Sequence, residues 1–71
     1  MQNQDILIHI NGEPFVCSAF MKLIDILSYL DFNVKLVTIE YNKEVISNSV
    51  LSEVFLHHND EIEIVTIVGG G

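Results

Sequence analysis

The chain ends in Glu61-Ile62-Glu63-Ile64-Val65-Thr66-Ile67-Val68-Gly69-Gly70-Gly71, an alternating β-type run followed by three glycines. Apolar and polar residues with a period of two predict a final β-strand over residues 61–67. The glycines lose more backbone entropy on ordering than other residues and do not prolong a strand stably. We therefore expect a thin, flexible tail at residues 69–71 that ends in an ionised α-carboxylate. A frayed end without function is the alternative, and the rest of the chain has to decide between them.

The composition restricts the classes of partner. The chain has 71 residues, of which 49% are hydrophobic, and its formal net charge is −7 with ten acidic residues and three lysines. This suits one small folded domain and argues against nucleic acid or anionic membranes as partners, because both require basic residues. It predicts a partner with a basic docking surface. The sequence shows neither a membrane-spanning run nor a signal peptide, and a single cysteine fits a reducing, cytoplasmic location.

The first part of the chain predicts a β-hairpin. Isoleucines at positions 6, 8 and 10 alternate with Leu7 and His9, as in a half-buried strand. Asn11-Gly12 is a strong hairpin signal, because both central positions of the tight turn need positive φ. Residues 13–17 form the predicted return strand. Pro14 donates no ladder hydrogen bond, so this is an edge strand or a strand that begins just after the proline.

A helix is predicted next, over residues 18–30. Leu23, Ile26, Leu27 and Leu30 follow the i, i+3, i+4, i+7 spacing of an amphipathic helix. Ser18 is the candidate N-cap. Residues 31–33 are expected to end the helix, with Asn33 in the left-handed conformation.

The remaining chain predicts more strands. Residues 37–41 alternate as a third strand, and Asn42-Lys43 is a plausible tight turn into a fourth strand at residues 44–46. Residues 47–58 are irregular, with one short helical turn near positions 50–54. Asn59-Asp60 indicates a turn before the final strand. One helix must then cover one face of a mixed sheet, since nothing else can bury the isoleucines.

This order predicts an α+β fold of the ubiquitin-like β-grasp type, with a mixed sheet of four to five strands packed on one helix. The first and last strands are expected to lie side by side and parallel. We assign residues 1–68 to the domain and residues 69–71 to the flexible Gly-Gly-Gly tail.

The two faces of the last strand differ. Ile62 and Ile64 share the face predicted to meet the helix, whereas Val65 and Ile67 have the parity of the two glutamates and point to the open face. With Val68 and with Leu7 of the first strand, they form a predicted docking patch beside the tail. A bulge that turns Val65 and Ile67 inward is the alternative.

Candidate catalytic groups are sparse. His57 and His58 are neighbours that point to opposite sides, His9 is distant in sequence, and no second cysteine completes a zinc site. Cys17 has no evident positive charge to lower its pKa, so we expect a small apolar residue at a strand end. The sequence predicts no bound metal and no enzymatic activity of its own.

The whole chain resembles the ThiS family, the ubiquitin-like sulfur carriers of thiamine biosynthesis. The matching segments are residues 8–13, 23–30, 39–45, 60–65 and 68–71. The chain departs from the family pattern at Asn42-Lys43, at Asn59-Asp60 and at Ser47-Asn48-Ser49, where the family usually has Asn-Gly, Gly-Asp and Pro-Arg-Ser. These departures affect expected loop contacts rather than the tail.

The resemblance implies a co-substrate rather than an enzyme. A ubiquitin-activating-like adenylyltransferase would take Gly69 and Gly70 into its channel and adenylate the Gly71 carboxylate with MgATP. A persulfide sulfur donor would then convert Gly71 to a thiocarboxylate, which delivers its sulfur to thiazole synthase. No cofactor is expected on the carrier itself. The alternatives are the molybdopterin-synthase small subunit, a ubiquitin-like protein modifier and a non-reactive β-grasp interaction domain.

Overall fold

The protein has five strands and one α-helix in a computed structural model that describes residues 4–66. The strands are β1 (Asp5–Ile10), β2 (Glu13–Ser18), β3 (Val37–Tyr41), β4 (Glu44–Ile46) and β5 (Glu61–Thr66), and the helix α1 is Leu23–Tyr29. Short 3₁₀ helices occupy Val34–Leu36 and Asn48–Glu53. The predictions for Ile67, Val68 and the tail lie outside the described residues.

The sheet is mixed, with the strand order β2-β1-β5-β3-β4. β1 runs parallel to β5, and the other neighbouring pairs are antiparallel. The predicted parallel pairing of the first and last strands is therefore confirmed, and β5 occupies the central position. β2, which contains Pro14, is an edge strand, where a missing N–H donor costs no ladder bond.

The first hairpin turns at Asn11 and Gly12, whose φ angles are 52° and 84°. Two positive φ values are those of the tight turn that the Asn-Gly pair predicts. The Asn11 side chain has a second role: its Oδ1 accepts from Ile64 N at 2.7 Å, and its Nδ2 donates to Ile64 O at 3.3 Å. The amide thus extends the parallel ladder between β1 and β5 past the end of β1.

The helix begins later than the sequence pattern predicts. Ser18 is not its N-cap, because it is still paired with Asp5 in β2, and its Oγ accepts from Phe20 N in the following turn. α1 instead starts after Lys22, whose N–H donates to the Asp25 carboxylate at 2.9 Å. Strand pairing competes with helix capping at Ser18, and the helical periodicity of the sequence does not show which of the two prevails.

The end of the helix also differs from the prediction. Asp31, with φ 65°, takes the left-handed conformation that the sequence assigned to Asn33. Asn33 has φ −89° and caps the 3₁₀ helix Val34–Leu36, where its Oδ1 accepts from Lys35 N at 3.0 Å. Asn and Asp both tolerate positive φ, so residue type alone did not show whether Asp31 or Asn33 would adopt it.

The second hairpin has the predicted turn, since Asn42 and Lys43 both have positive φ, 51° and 73°. The predicted helical turn near positions 50–54 is present as the longer 3₁₀ helix Asn48–Glu53, which packs against α1. The 3₁₀ helix Val34–Leu36 was not predicted.

The core lies between the sheet and α1. Its fully buried side chains come from the inward face of the sheet, from α1 and from the irregular segment that precedes β5; they are Ile8, Leu23, Ile26, Leu27, Ile39, Leu51, Leu56 and Ile62. Burying aliphatic side chains of this size contributes about 1.5–3 kcal/mol each. The helix and the irregular segment therefore close one face of the sheet and leave the other open.

Asp60 is the buried acidic residue of the described chain, 7% exposed, and it connects two loops. Its Oδ2 accepts from Tyr41 Oη at 2.5 Å and from His57 N at 2.7 Å, and its Oδ1 accepts from Asn42 Nδ2 at 3.1 Å. Asn42 Oδ1 in turn accepts from Glu61 N at 2.8 Å. This network fixes the entry into β5 against the β3–β4 turn.

The Asp60 network predicts a loss of stability at alkaline pH. Burial, and then the hydrogen bond and charge of Asp60, raise the pKa of the Tyr41 phenol. Above pH ~10 the unfolded chain loses this proton first, so the native state binds more protons and the free energy of unfolding falls as the pH rises. Urea unfolding of the wild type between pH 8 and 11 should show this decline, and Tyr41→Phe should show a shallower one. If the free energy of unfolding fell equally steeply with pH in both proteins, Tyr41 would not be the group responsible for the decline.

Candidate functional site

The end of β5 is the last part of the described chain before the predicted reactive tail. Val65 pairs with Thr38, and Thr66 pairs with Val37, in an unbroken antiparallel register. Val65 is 55% exposed, whereas Ile64 is 6% exposed. The prediction that Val65 lies on the open face without a bulge is therefore correct up to Thr66. Its docking role stays a prediction.

Leu7, the other described member of the predicted docking patch, does not lie beside Val65. It is half-buried, shares the open face with its cross-strand neighbour Val16 and accepts a hydrogen bond from Asn59 N at its carbonyl oxygen. His9 is in register with Glu61, so Leu7 and Val65 are separated by six residues along parallel strands, about 20 Å. The structure thus places the two apolar residues at opposite ends of β1 and β5.

The middle of the open face is acidic. Glu61 and Glu63 of β5 line a shallow cavity of about 280 Å³ together with His9 and Gly12. Glu63 lies directly opposite Glu40 of β3, and Glu40 lies opposite Val45 of β4. In the strand segments of the described chain, the open-face positions carry no lysine.

Two of the three histidines take part in hydrogen bonds of the fold. His58 Nδ1 accepts from Leu7 N at 3.0 Å, and His57 N donates to Asp60. His9 lies on the open face, next to Glu61 of β5. Within residues 4–66, no group of three or more His, Cys, Asp or Glu side chains is arranged to hold a metal ion.

Cys17 belongs to the core, as predicted for a small apolar residue at a strand end. It is 8% exposed, and burial, then Asp5 and Asp60, raise the pKa of its thiol. A raised pKa keeps the sulfur protonated at neutral pH, so it is a poor nucleophile and a poor sulfur acceptor.

The predicted site residues of the tail and its approach, Gly69, Gly70, Gly71, Ile67 and Val68, lie outside the described residues. Sequence reasoning also missed two features that the structure shows at this end of the sheet. The side chain of Asn11 holds the backbone of Ile64, and Glu40 faces Glu63. Asn11 was identified only as a turn residue. Strand registers, which a single sequence does not supply, were needed to find both features.

This chain is similar to known proteins over most of its length. The family model described as the ThiS family matches residues 8–71. The uncharacterized protein ycf40 of Porphyra purpurea is 44% identical over 71 residues, which are 100% of both chains. A thiazole synthase of Magnetococcus marinus is 41% identical over 64 residues, which are 90% of this chain but 20% of that protein.

The solved structure of the thiamine biosynthesis protein ThiS from Geobacter metallireducens has the same fold. The TM-score is 0.81 at 25% sequence identity, over 93% of this chain and 100% of that chain. The predicted β-grasp fold is thereby confirmed. Among the described residues, no helix is long and apolar enough to cross a membrane.

Proposed function

This chain belongs to the ThiS family, the sulfur carriers of thiamine biosynthesis, and we propose that the carboxylate of Gly71 is the group that carries the sulfur. The observation behind the proposal is that the family match extends over residues 8–71 and so includes all three terminal glycines. Members of the family are small carriers, and the catalytic groups are assigned to partner proteins. No cofactor is proposed on the carrier itself.

The proposed reaction activates the carboxylate. An adenylyltransferase of the ubiquitin-activating type binds the tail beside MgATP, and a Gly71 oxygen attacks the α-phosphate and releases pyrophosphate. The outer sulfur of a donor persulfide then attacks the carbonyl carbon and displaces AMP, which gives an acyl disulfide. A second thiol attacks the donor-side sulfur of this acyl disulfide and forms a disulfide with it, which supplies the two electrons and releases the tail. The product is a thiocarboxylate. Cys17 takes no part, because it is buried and its pKa is raised.

The fold supports this use of the terminus. β5 pairs with β1 on one side and with β3 on the other, and the Asn11 amide adds two further bonds at Ile64. Five residues follow Thr66, the last described residue. A tail that leaves from the central strand is held at its base, which favours delivery of the terminal atoms to a fixed point in a partner. Gly69 and Gly70 present bare backbone to a narrow channel.

Thiazole synthase is the proposed sulfur acceptor. A region similar to this chain makes up 20% of the Magnetococcus marinus protein of that name. A carrier and the enzyme that consumes its sulfur benefit from being joined, because linkage raises the effective concentration of one for the other. The cytoplasm, a reducing compartment, is the proposed location.

Two other functions would use the same tail: that of the molybdopterin-synthase small subunit and that of a protein modifier joined to lysines. The ThiS family match favours the thiamine carrier over both. A non-reactive β-grasp domain would need no terminal glycines.

Intact-mass measurement tests the proposal. The purified chain, incubated with MgATP, a persulfide donor, a thiol reductant and the activating enzyme of the same organism, should gain the mass difference between one sulfur and one oxygen atom. The gain should require all four components and should be lost on addition of thiazole synthase and its other substrates. An unchanged mass would reject the sulfur-carrier function, and conjugation to another protein would support the modifier.

A further inference from the structure

Two carboxylates face each other on the open side of the sheet. Glu40 of β3 and Glu63 of β5 are directly opposite in the antiparallel register. Residues so placed have Cβ atoms about 4.5–5.5 Å apart, and two like charges in these positions destabilise the sheet. The next pair in the register, Tyr41 and Ile62, is uncharged. The same two strands can therefore pair without placing like charges opposite each other.

Within residues 4–66, none of the three lysines lies in a strand of this face. Lys22 precedes α1, Lys35 is in the 3₁₀ helix Val34–Leu36, and Lys43 is in the β3–β4 turn. The Lys22 ammonium lies 5.2 Å from the centre of the Phe55 ring. The repulsion between Glu40 and Glu63 is therefore relieved by solvent and salt in the free domain.

Apolar side chains border the carboxylate pair on two sides. Val45, 69% exposed, is the cross-strand neighbour of Glu40, and Val65, 55% exposed, follows Glu63 by two positions on the same face of β5. Acidic groups framed by exposed valines differ from a uniformly solvated face. This surface is complementary to a partner surface on which a cationic side chain is surrounded by apolar side chains.

We propose that the Glu40–Glu63 pair, with Val45 and Val65, is the docking surface for the activating enzyme, and that a lysine or arginine of that enzyme is inserted between the two carboxylates. This inference rests on the proposed function and adds the chemistry of the partner surface. Two arguments select this occupant. The surface includes the strand that precedes the tail, and a net charge of −7 without arginine favours a cationic partner surface.

A partner cation between Glu40 and Glu63 would remove their repulsion at the moment of docking. The pair thus decreases the stability of the free domain and increases its rate of association with a basic surface. A purely structural or solubilising role does not link these two effects. The combination of a more stable domain and weaker docking in one variant is therefore the signature to measure.

The test uses Glu63→Lys and its matched control Glu53→Lys. Both change the net charge by the same amount, but Glu53 is an exposed residue at the end of the 3₁₀ helix Asn48–Glu53, which packs on α1 rather than on the open face. The activating enzyme of the same organism is used in ATP–pyrophosphate exchange, with the carrier titrated at low and at high salt. Thermal melts of the free carriers are recorded in parallel.

For Glu63→Lys we expect a higher melting temperature, since a lysine opposite Glu40 replaces repulsion by attraction. We also expect a KM for the carrier raised about tenfold at low salt, an unchanged kcat and a weaker salt dependence. Glu53→Lys should keep the KM and the salt dependence of the wild type. Glu63→Gln, which only removes the charge, should show the same changes at smaller size.

Three results would overturn the inference while leaving the proposed function intact. One is an unchanged KM for both Glu63 variants, and another is an equal rise for Glu63→Lys and Glu53→Lys, which would mean that only net charge matters. The third is normal pyrophosphate exchange with impaired sulfur delivery, which would assign the surface to thiazole synthase. If the wild type itself supports no exchange, the proposed function fails, and this docking inference fails with it.

Discussion

Removal of Gly71, or addition of one residue after it, is expected to abolish thiocarboxylate formation without changing the thermal unfolding of the domain. The reacting group is the terminal carboxylate, and a shift by one residue moves it about 3.5 Å along an extended tail. Displacements of even ~1 Å can cost 10²-fold in rate, so the loss should be at least about 10²-fold.

The matched control for the terminus is an extension at the other end of the chain, which adds a residue without moving Gly71. This variant should be thiocarboxylated at the wild-type rate in the intact-mass assay. An extended C-terminus that acquires sulfur at the normal rate, with no cleavage detected by mass, would show that the free Gly71 carboxylate is not the reacting group.

The substitutions Ile64→Asp and Val65→Asp are expected to have opposite consequences, although they concern adjacent residues. Ile64 is 6% exposed and faces the core, so an aspartate there buries a charge with no cation beside it. The cost should be at least about 4 kcal/mol, a large part of the roughly 5–15 kcal/mol that stabilises a typical domain. Val65 is 55% exposed, and its substitution should change stability by about 0.5 kcal/mol or less.

Docking should show the reverse order. Val65→Asp removes an apolar contact next to the Glu40–Glu63 pair and adds a third carboxylate that has to be desolvated, so pyrophosphate exchange should require a higher carrier concentration. Urea unfolding and the exchange assay together measure both effects. A Val65→Asp variant that unfolds as readily as Ile64→Asp would mean that the end of β5 is turned inward in solution.

Local patterns in the sequence determine much of this fold. The alternation in β1, β3 and β5, the Asn-Gly and Asn-Lys turns and the stripe of α1 depend on residues close together in the chain. Backbone sterics and side-chain periodicity are local properties, so these predictions needed no knowledge of distant contacts. The parity of Ile64 and Val65 is of the same kind, and it correctly separates a buried from an exposed side chain.

At some positions the local sequence allows two structures and does not decide between them. Ser18 has the chemistry of a helix cap but pairs with Asp5 in the sheet, and Asp31 rather than Asn33 adopts positive φ. In both cases the favourable local options are nearly equivalent, and strand pairing or the following 3₁₀ helix selects one of them. Tertiary contacts decide such cases because their free energies exceed the differences in local propensity.

The candidate site shows the same division between local and long-range information. The family resemblance and the position of the glycines are properties of the sequence, and by themselves they identify Gly71 as the proposed reactive group. Only the tertiary structure placed Leu7 at the far end of the sheet from Val65, set Glu40 opposite Glu63 and buried Asp60 against Tyr41 and Asn42. These relations join residues far apart in the chain, and strand register alone brings them to one place, because a shift of one residue would exchange the two faces of the sheet.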